Sequence, residues 1–250
     1  MEVIVIANNK GGVGKTTSAQ NLAAGLVQLK KRVLLVDVDP QANLTGCYVK
    51  LKDDQKTVFE SFTDGDPLKD VIIKINDYLS LVPSSWEMGG IEKYLPELRK
   101  EDILNNLLKP QYSNFDYCII DTPPSLNIIT VNALVAGSRV LIPMEAAKFA
   151  YDGIKKLKEL IDLIKSRVNP NLAIGGVFFC GIKPKLRLSK AMTKLVETKF
   201  SNEFCETMIR ENIALAECQS TGQDIFEYAP ESVGAQDYKN LLTEVLNRMN

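Results

Sequence analysis

Short apolar, β-branched runs alternate with longer helical patterns from one end of the chain to the other. The runs fall at residues 3–7, 32–37, 78–83, 117–121, 139–144 and 172–179. They are continuously apolar, as strands are when a parallel sheet is covered on both faces. Helices are predicted near 15–30, 101–109, 125–136, 151–167, 188–200 and 234–248. This order implies an α/β fold, a doubly wound, mostly parallel sheet with helices on both faces and right-handed crossovers. No low-complexity linker or internal repeat breaks the pattern, so residues 1–250 read as a single domain. Residues 50–100 fit it least, and Trp86, Gly89 and Gly90 suggest an irregular insertion there.

Composition narrows the chemistry. Hydrophobic residues make up 45% and charged residues 24% of the 250, a globular balance with ample core. The net charge of −1 supplies no global field, so binding to nucleic acid or membrane must come from a local patch. Five cysteines (Cys47, Cys118, Cys180, Cys205 and Cys218) form no C-x-x-C pair, which favours reduced thiols over a disulfide framework or zinc site. Histidine is absent, so catalysis near neutral pH must use carboxylates, lysines, backbone or bound metal. The opening "MEVIVIA" is too short for a signal peptide and carries an acid where a basic segment belongs. With no apolar run near membrane-spanning length, a soluble cytoplasmic protein is expected.

The stretch "NNKGGVGKTT" at 8–17 almost fits the phosphate-loop pattern G-x-x-x-x-G-K-[ST]. Its first glycine position holds Asn9, and a second lysine, Lys10, follows. A strand precedes it and a helix follows, the context a phosphate loop needs. Gly11, Gly12 and Gly14, with Val13 between them, let backbone amides turn inward around phosphate oxygens, and the helix N-terminus that includes Thr17 adds its dipole. Lys15 is then the ligand of the β- and γ-phosphates, and the Thr16 hydroxyl a ligand of Mg²⁺. The rival reading, a glycine-rich turn without a ligand, fits the flanking elements poorly.

"KGGVGKTT" resembles the deviant phosphate loop of the ParA/MinD family of ATPases, which includes the nitrogenase iron protein. The resemblance implies a nucleotide-sandwich homodimer formed with ATP, in which Lys10 reaches the nucleotide of the other subunit. Two facing triphosphates concentrate negative charge, which a lysine from each side offsets. "VLLVDVDPQANLTG" is similar to the family's next motif, implying that Asp39 positions or activates the attacking water while Asp37 supports the magnesium shell. Alternation along an extended segment predicts that these two carboxylates point the same way. "YCIIDTPPS" resembles a Walker B strand and second switch, implying that Asp121 holds Mg²⁺ through water and that Thr122-Pro123-Pro124 senses the γ-phosphate. An aspartate in that place can also merely cap a helix. "IRENIALAECQSTGQDIFEYAPESVGAQDYKNL" resembles the C-terminal segment that packs on adenine, which makes Met208, Arg210 and Asn212 candidate base contacts.

Three branches of the family remain open on the sequence. "DVDPQANLTG" and "DTPPSLN" are most similar to the ParA/Soj partition branch, which implies non-specific DNA binding by the ATP dimer, stimulation by a ParB-type partner and nucleoid association. The chain starts at its first strand, so no operator-specific repressor role is expected. A MinD-like membrane-cycling ATPase is the alternative, but "YKNLLTEVLNRMN" fits a core-facing helix, not a basic amphipathic one, so no membrane partner is expected. An electron-transfer protein needs bridging cysteines, whereas Cys118 lies within one apolar strand and Cys180 ends another. For DNA, residues 183–199 carry Lys183, Lys185, Arg187, Lys190, Lys194 and Lys199 against one acid, Glu197. Such a patch suits phosphate contacts, with an ordinary solvated helix face as the rival. Many Soj-type proteins carry a DNA-binding arginine in the segment aligned with "ENIALAE", where this chain has Ala214.

Overall fold

The computed structural model describes residues 1–97, 100–147 and 150–249. In chain order its elements are β1 Glu2–Ile6, α1 Lys15–Gln28, β2 Val33–Asp37, α2 Asn43–Tyr48, α3 Val58–Thr63, β3 Ile73–Lys74, β4 Leu79–Val82, α4 Ile103–Leu108 and β5 Tyr117–Asp121. There follow α5 Ile128–Ala136, β6 Arg139–Met144, α6 Ala150–Arg167, β7 Ala173–Phe179, α7 Arg187–Lys199, α8 Ile213–Thr221, α9 Ile225–Tyr228 and α10 Val233–Met249. The strands form one seven-stranded sheet in the order β3-β4-β2-β5-β1-β6-β7. All its pairings are parallel except the antiparallel edge between β3 and β4.

Successive residues of each strand point to opposite faces, and both faces are buried. Val3, Val5, Leu34 and Val36 enter one apolar cluster with residues of α3 to α7. Ile4, Ile6, Val33 and Leu35 enter the other, against α1, α2 and α8 to α10. The sheet is thus filled from both sides, and this is why its strands read as unbroken apolar runs. On the second face α1 lies close against α10: a Cβ built on Gly25 would fall 2.7 Å from Leu242 Cδ2. Glycine is required there by close approach.

The apolar runs mark their strands to within a residue. The short elements are less legible. The insertion at 50–100 holds α3, β3, β4 and a 3-10 helix over Trp86–Lys93. Elements of two to nine residues, such as β3, α2, α3, α8 and α9, are too short to repeat a hydrophobic period. One local signal is present: Thr57 and Glu60 cap α3 reciprocally, a pattern visible in sequence as T-x-x-E.

Candidate nucleotide site

The exits of β1, β2 and β5 meet at one edge of the sheet. Ile6 and Asp37 both stand in register with Asp121. Over them passes the loop from β1 to α1. Gly12 and Gly14 adopt φ values of 75° and 87°, in the left-handed region that glycine favours, and Gly14 caps α1. The loop is fastened at its start: Asn8 Nδ2 donates to the Pro143 carbonyl at 2.7 Å, while Asn8 Oδ1 accepts from the Lys10 backbone N–H at 3.0 Å. Lys15 is only 7% exposed and donates from Nζ to the Lys10 carbonyl at 3.2 Å. Burial lowers its pKa, and the carboxylates of Asp121 and Asp39 work against that shift. A buried ammonium satisfied by one carbonyl has strong unused capacity for an anion.

The carboxylates around it divide the work. Asp121 is fully buried; Oδ2 accepts from the Thr16 hydroxyl at 2.7 Å, but Oδ1 has no hydrogen-bond partner. Burial first, and the nearby Asp37 carboxylate second, push its pKa well above the usual carboxylate range. Asp37 is braced. Its Oδ1 accepts from the Asp39 N–H at 3.0 Å, and its Oδ2 accepts from the N–H and hydroxyl of Thr45, both at 2.8 Å. Burial still raises its pKa to about 7. Asp39 accepts from the Gln41 N–H at 2.9 Å and lines a cleft of about 930 Å³, together with Gly11, Lys15 and Thr16. Asp37 does not line it, because its oxygens turn back to hold the Asp39 loop and α2. The expected common direction of the two carboxylates therefore gives way to a division between brace and cleft wall. In the loop that follows them Ala42 takes φ 50°, an uncommon left-handed conformation for a residue with a Cβ, which costs about 1 kcal/mol.

The unpartnered Asp121 oxygen beside the Thr16 hydroxyl fits a hard divalent cation. Among the described residues no group of three or more histidine, cysteine or acidic side chains could hold a metal by itself. A cation here therefore needs further oxygens, such as those of phosphates. Thr122 is buried and donates its hydroxyl to the Ile6 carbonyl at 2.9 Å, pinning the segment after β5 to the end of β1.

A second, smaller cavity of about 230 Å³ opens beside Gly12, Val13, Gly14 and Thr17. Arg210 and Asn212 line it, as the sequence suggests, but Met208 does not. Met208 lines a groove against α7 instead. Four consecutive residues, Ile209 to Asn212, line the cavity instead, so the wall begins one residue after Met208. Arg210 is tied by Nε and Nη2 to the Asp237 carboxylate, and Asn212 caps α8 by accepting from the Ala214 N–H at 2.9 Å. Two further participants carry no sequence signal. Gln219 Nε2 donates to the Thr17 hydroxyl at 2.9 Å from 202 residues away, and Glu145 meets Lys10 across 135 residues.

The cations of the basic segment line neither cavity beside the phosphate loop. Lys183 pairs with Glu211 at 2.9 Å, which removes part of its charge from the patch. Lys185, just before α7, and Arg187, Lys190 and Lys194 within it are exposed, while Met192 and Val196 of that helix are buried. All five cysteines are free and buried, and burial raises the Cys118 and Cys180 thiols above their ordinary range.

A parallel sheet whose first strand feeds a glycine-rich loop and a helix, with Asp121 at a neighbouring strand exit, defines a phosphate-loop nucleotide-binding protein. A protein-family profile described as an AAA domain matches residues 1–174. The chain is 35% identical over 249 residues to the chromosome partitioning protein ParA of Myxococcus xanthus, covering 98% of this chain and 88% of that one. It is 36% identical over 247 residues to the sporulation initiation inhibitor protein Soj of Bacillus subtilis, covering 98% of each. Its structure is similar to that of cobyrinic acid a,c-diamide synthase from Mycobacterium smegmatis with bound ADP and magnesium, at TM-score 0.86 and 26% identity over 99% of this chain and 95% of the other. The chain belongs to the ParA/Soj family of phosphate-loop partition ATPases. Among the described residues, no helix is long and apolar enough to cross a membrane.

Proposed function

We propose that this chain acts as a single-domain, Mg²⁺-dependent ATP hydrolase that dimerises on ATP, binds DNA without sequence preference and drives plasmid or chromosome partition with a ParB-type partner. The observation that carries the nucleotide part is the pairing of an underused buried Lys15 ammonium with an unpartnered Asp121 oxygen, on either side of Thr16. In this reading the amides of Gly11, Gly12, Val13 and Gly14 wrap the phosphates, with Thr16 and Thr17 at the helix start. Lys15 neutralises the β- and γ-phosphates, and Thr16 and Asp121 hold Mg²⁺, directly or through water. The metal supplies charge neutralisation of the phosphates when bound. Asp39, held by Asp37, which Thr45 fixes in turn, orients or deprotonates the attacking water, so Asp37 serves the magnesium shell by fixing its neighbours. Lys10 acts across the dimer interface. Arg210 and Asn212 flank the base.

The likeness to ParA and Soj favours DNA over a membrane as the surface on which the dimer works. We assign DNA contact to Lys185, Arg187, Lys190 and Lys194, with Lys183 contributing less because Glu211 shares its charge. Such a protein works in the cytoplasm, associated with the nucleoid. Two patches held by one dimer raise the effective concentration of the second contact and steepen the salt dependence. The deciding experiment uses Asp39→Ala, which should bind ATP and accumulate the dimer while kcat falls by about a hundredfold or more. With that trapped dimer, replacing Lys185 and Arg187 by alanine should weaken binding to all DNA sequences alike and flatten the plot of log affinity against log salt. An ATP dimer that ignored DNA at low salt but bound anionic vesicles would establish the MinD-like alternative instead.

A further inference from the structure

We infer that Glu145 is a positioning residue for Lys10: its carboxylate holds the lysine over its own subunit until a nucleotide-bound partner takes the ammonium away. This rests on the reading of Lys10 as a residue that acts across a dimer interface, and it adds a resting position and a threshold to that reading.

The contact is built by the main chain. Glu145 directly follows β6, and Asn8 joins the exit of that strand to the start of the phosphate loop through Pro143 and Lys10. The junction brings Lys10 Nζ to 2.5 Å from Glu145 Oε2. The lysine and glutamate side chains remain 48% and 42% exposed, so the pair lies on open surface where an incoming subunit can reach it.

Glu145 also lines the small cavity beside Gly12 and Val13. That cavity shares Gly12 and Gly14 with the phosphate cleft, and an acid so near a bound polyanion repels it unless a cation neutralises the acid. Lys10 does so in the single chain. The glutamate in turn stands in for phosphate as the counter-anion of Lys10. Moving Lys10 to the other subunit's nucleotide therefore breaks one ion pair, a loss that the new contact with phosphate must outweigh. The greater negative charge of a triphosphate overcomes this bias better than a diphosphate does. Because the pair is exposed, the bias is small, equivalent to about a two- to fivefold change in the concentration needed for dimerisation.

The test is a light-scattering titration of dimer formation, in a slowly hydrolysed ATP analogue with Mg²⁺, for the full chain and for Glu145→Gln, Glu145→Asp and Lys10→Ala. Glu145→Gln should dimerise at about two- to fivefold lower protein concentration, and Glu145→Asp, which keeps the charge, should stay near the parent. Calorimetry on the monomers adds a readout that a purely structural role would not move. Glu145→Gln should strengthen nucleotide binding in the Lys10→Ala background, where the glutamate faces the phosphates unneutralised, and leave it unchanged when Lys10 is present. An unchanged dimerisation threshold for Glu145→Gln, with Lys10→Ala unable to dimerise, would overturn the holding role alone. A parent chain that never dimerised, or a Lys10→Ala variant that dimerised normally, would overturn the cross-interface reading and the holding role with it.

Discussion

The two ends of β5 carry the same side chain in opposite circumstances. At its entry Asp116 accepts from the Arg32 backbone N–H at 2.8 Å, and its other oxygen accepts from Arg32 Nη2 at 2.9 Å. These bonds pull the carboxyl down to about 2, well below its ordinary value. At the exit Asp121 is sealed from solvent with one oxygen unpartnered, and its carboxyl is pushed well up by burial. The length of one short strand separates a carboxylate whose demands are met by the chain from one whose demands are left open. A parallel sheet explains where each belongs. Strand exits, with helix N-termini beside them, are where ligands enter such folds, and the entry edge is free to be closed by local pairs. An unmet buried charge is a stability cost retained where a ligand completes the site.

The largest effect that would sharpen this contrast is the loss of Lys15. Lys15→Ala removes the buried counter-charge of the exit edge and should weaken nucleotide affinity by about a hundredfold or more, read by calorimetry. Unchanged affinity would show that the phosphates bind elsewhere. Next comes Asp121→Asn, which removes the desolvated charge. Without nucleotide the variant should be more stable to denaturant by about 1–2 kcal/mol near pH 7.5. The sign follows from linkage. A carboxyl whose folded pKa is raised loses stability as pH rises above its unfolded value, so the gain should shrink as pH falls towards about 4. The same variant should lose the Mg²⁺ enhancement of nucleotide binding. A variant less stable at every pH would break the contrast, since the exit carboxylate would then be a structural asset.

The smallest effect belongs to the entry edge. Asp116→Asn should cost under about 1 kcal/mol, because the Arg32 pair is exposed to solvent. Its linkage runs the other way: a depressed carboxyl stabilises the fold above its unfolded pKa, and the difference should vanish as pH falls from about 4 towards 2. Denaturant melts across that range measure it. Nucleotide affinity should not move.

Features carried by one connected stretch of chain are legible in the sequence. The phosphate loop is such a stretch, and Gly12, Gly14, Lys15 and Thr16 stand in it where the spacing puts them. The apolar runs mark each long strand because burial on both faces leaves no polar interruption to confuse them. Legibility fails where geometry depends on a neighbour far away in sequence. Alternation predicts that Asp37 shares a direction with Asp39, but Thr45, reached through α2, turns its oxygens inward. Position in a motif puts Met208 at the base cavity, yet the cavity wall begins at Ile209 and Met208 lies in a groove against α7. Lys183 counts fully in the basic patch on composition alone, and its pairing with Glu211 reduces that share.

By itself the sequence determined the order of the longer strands and helices, the mostly parallel α/β class, the phosphate loop with its extra lysine and the candidate acids. All of these are set by short-range rules: hydrophobic period, the conformational freedom of glycine, and fixed spacing along one segment. Only the tertiary structure decided which carboxylate is braced and which keeps a bare oxygen, and that Lys10 rests on Glu145. Those outcomes depend on burial and on partners brought together by sheet register, from β5 lying between β2 and β1 and from Asn8 reaching the exit of β6. Desolvation and pairing are properties of a three-dimensional neighbourhood, and a residue's letter carries neither.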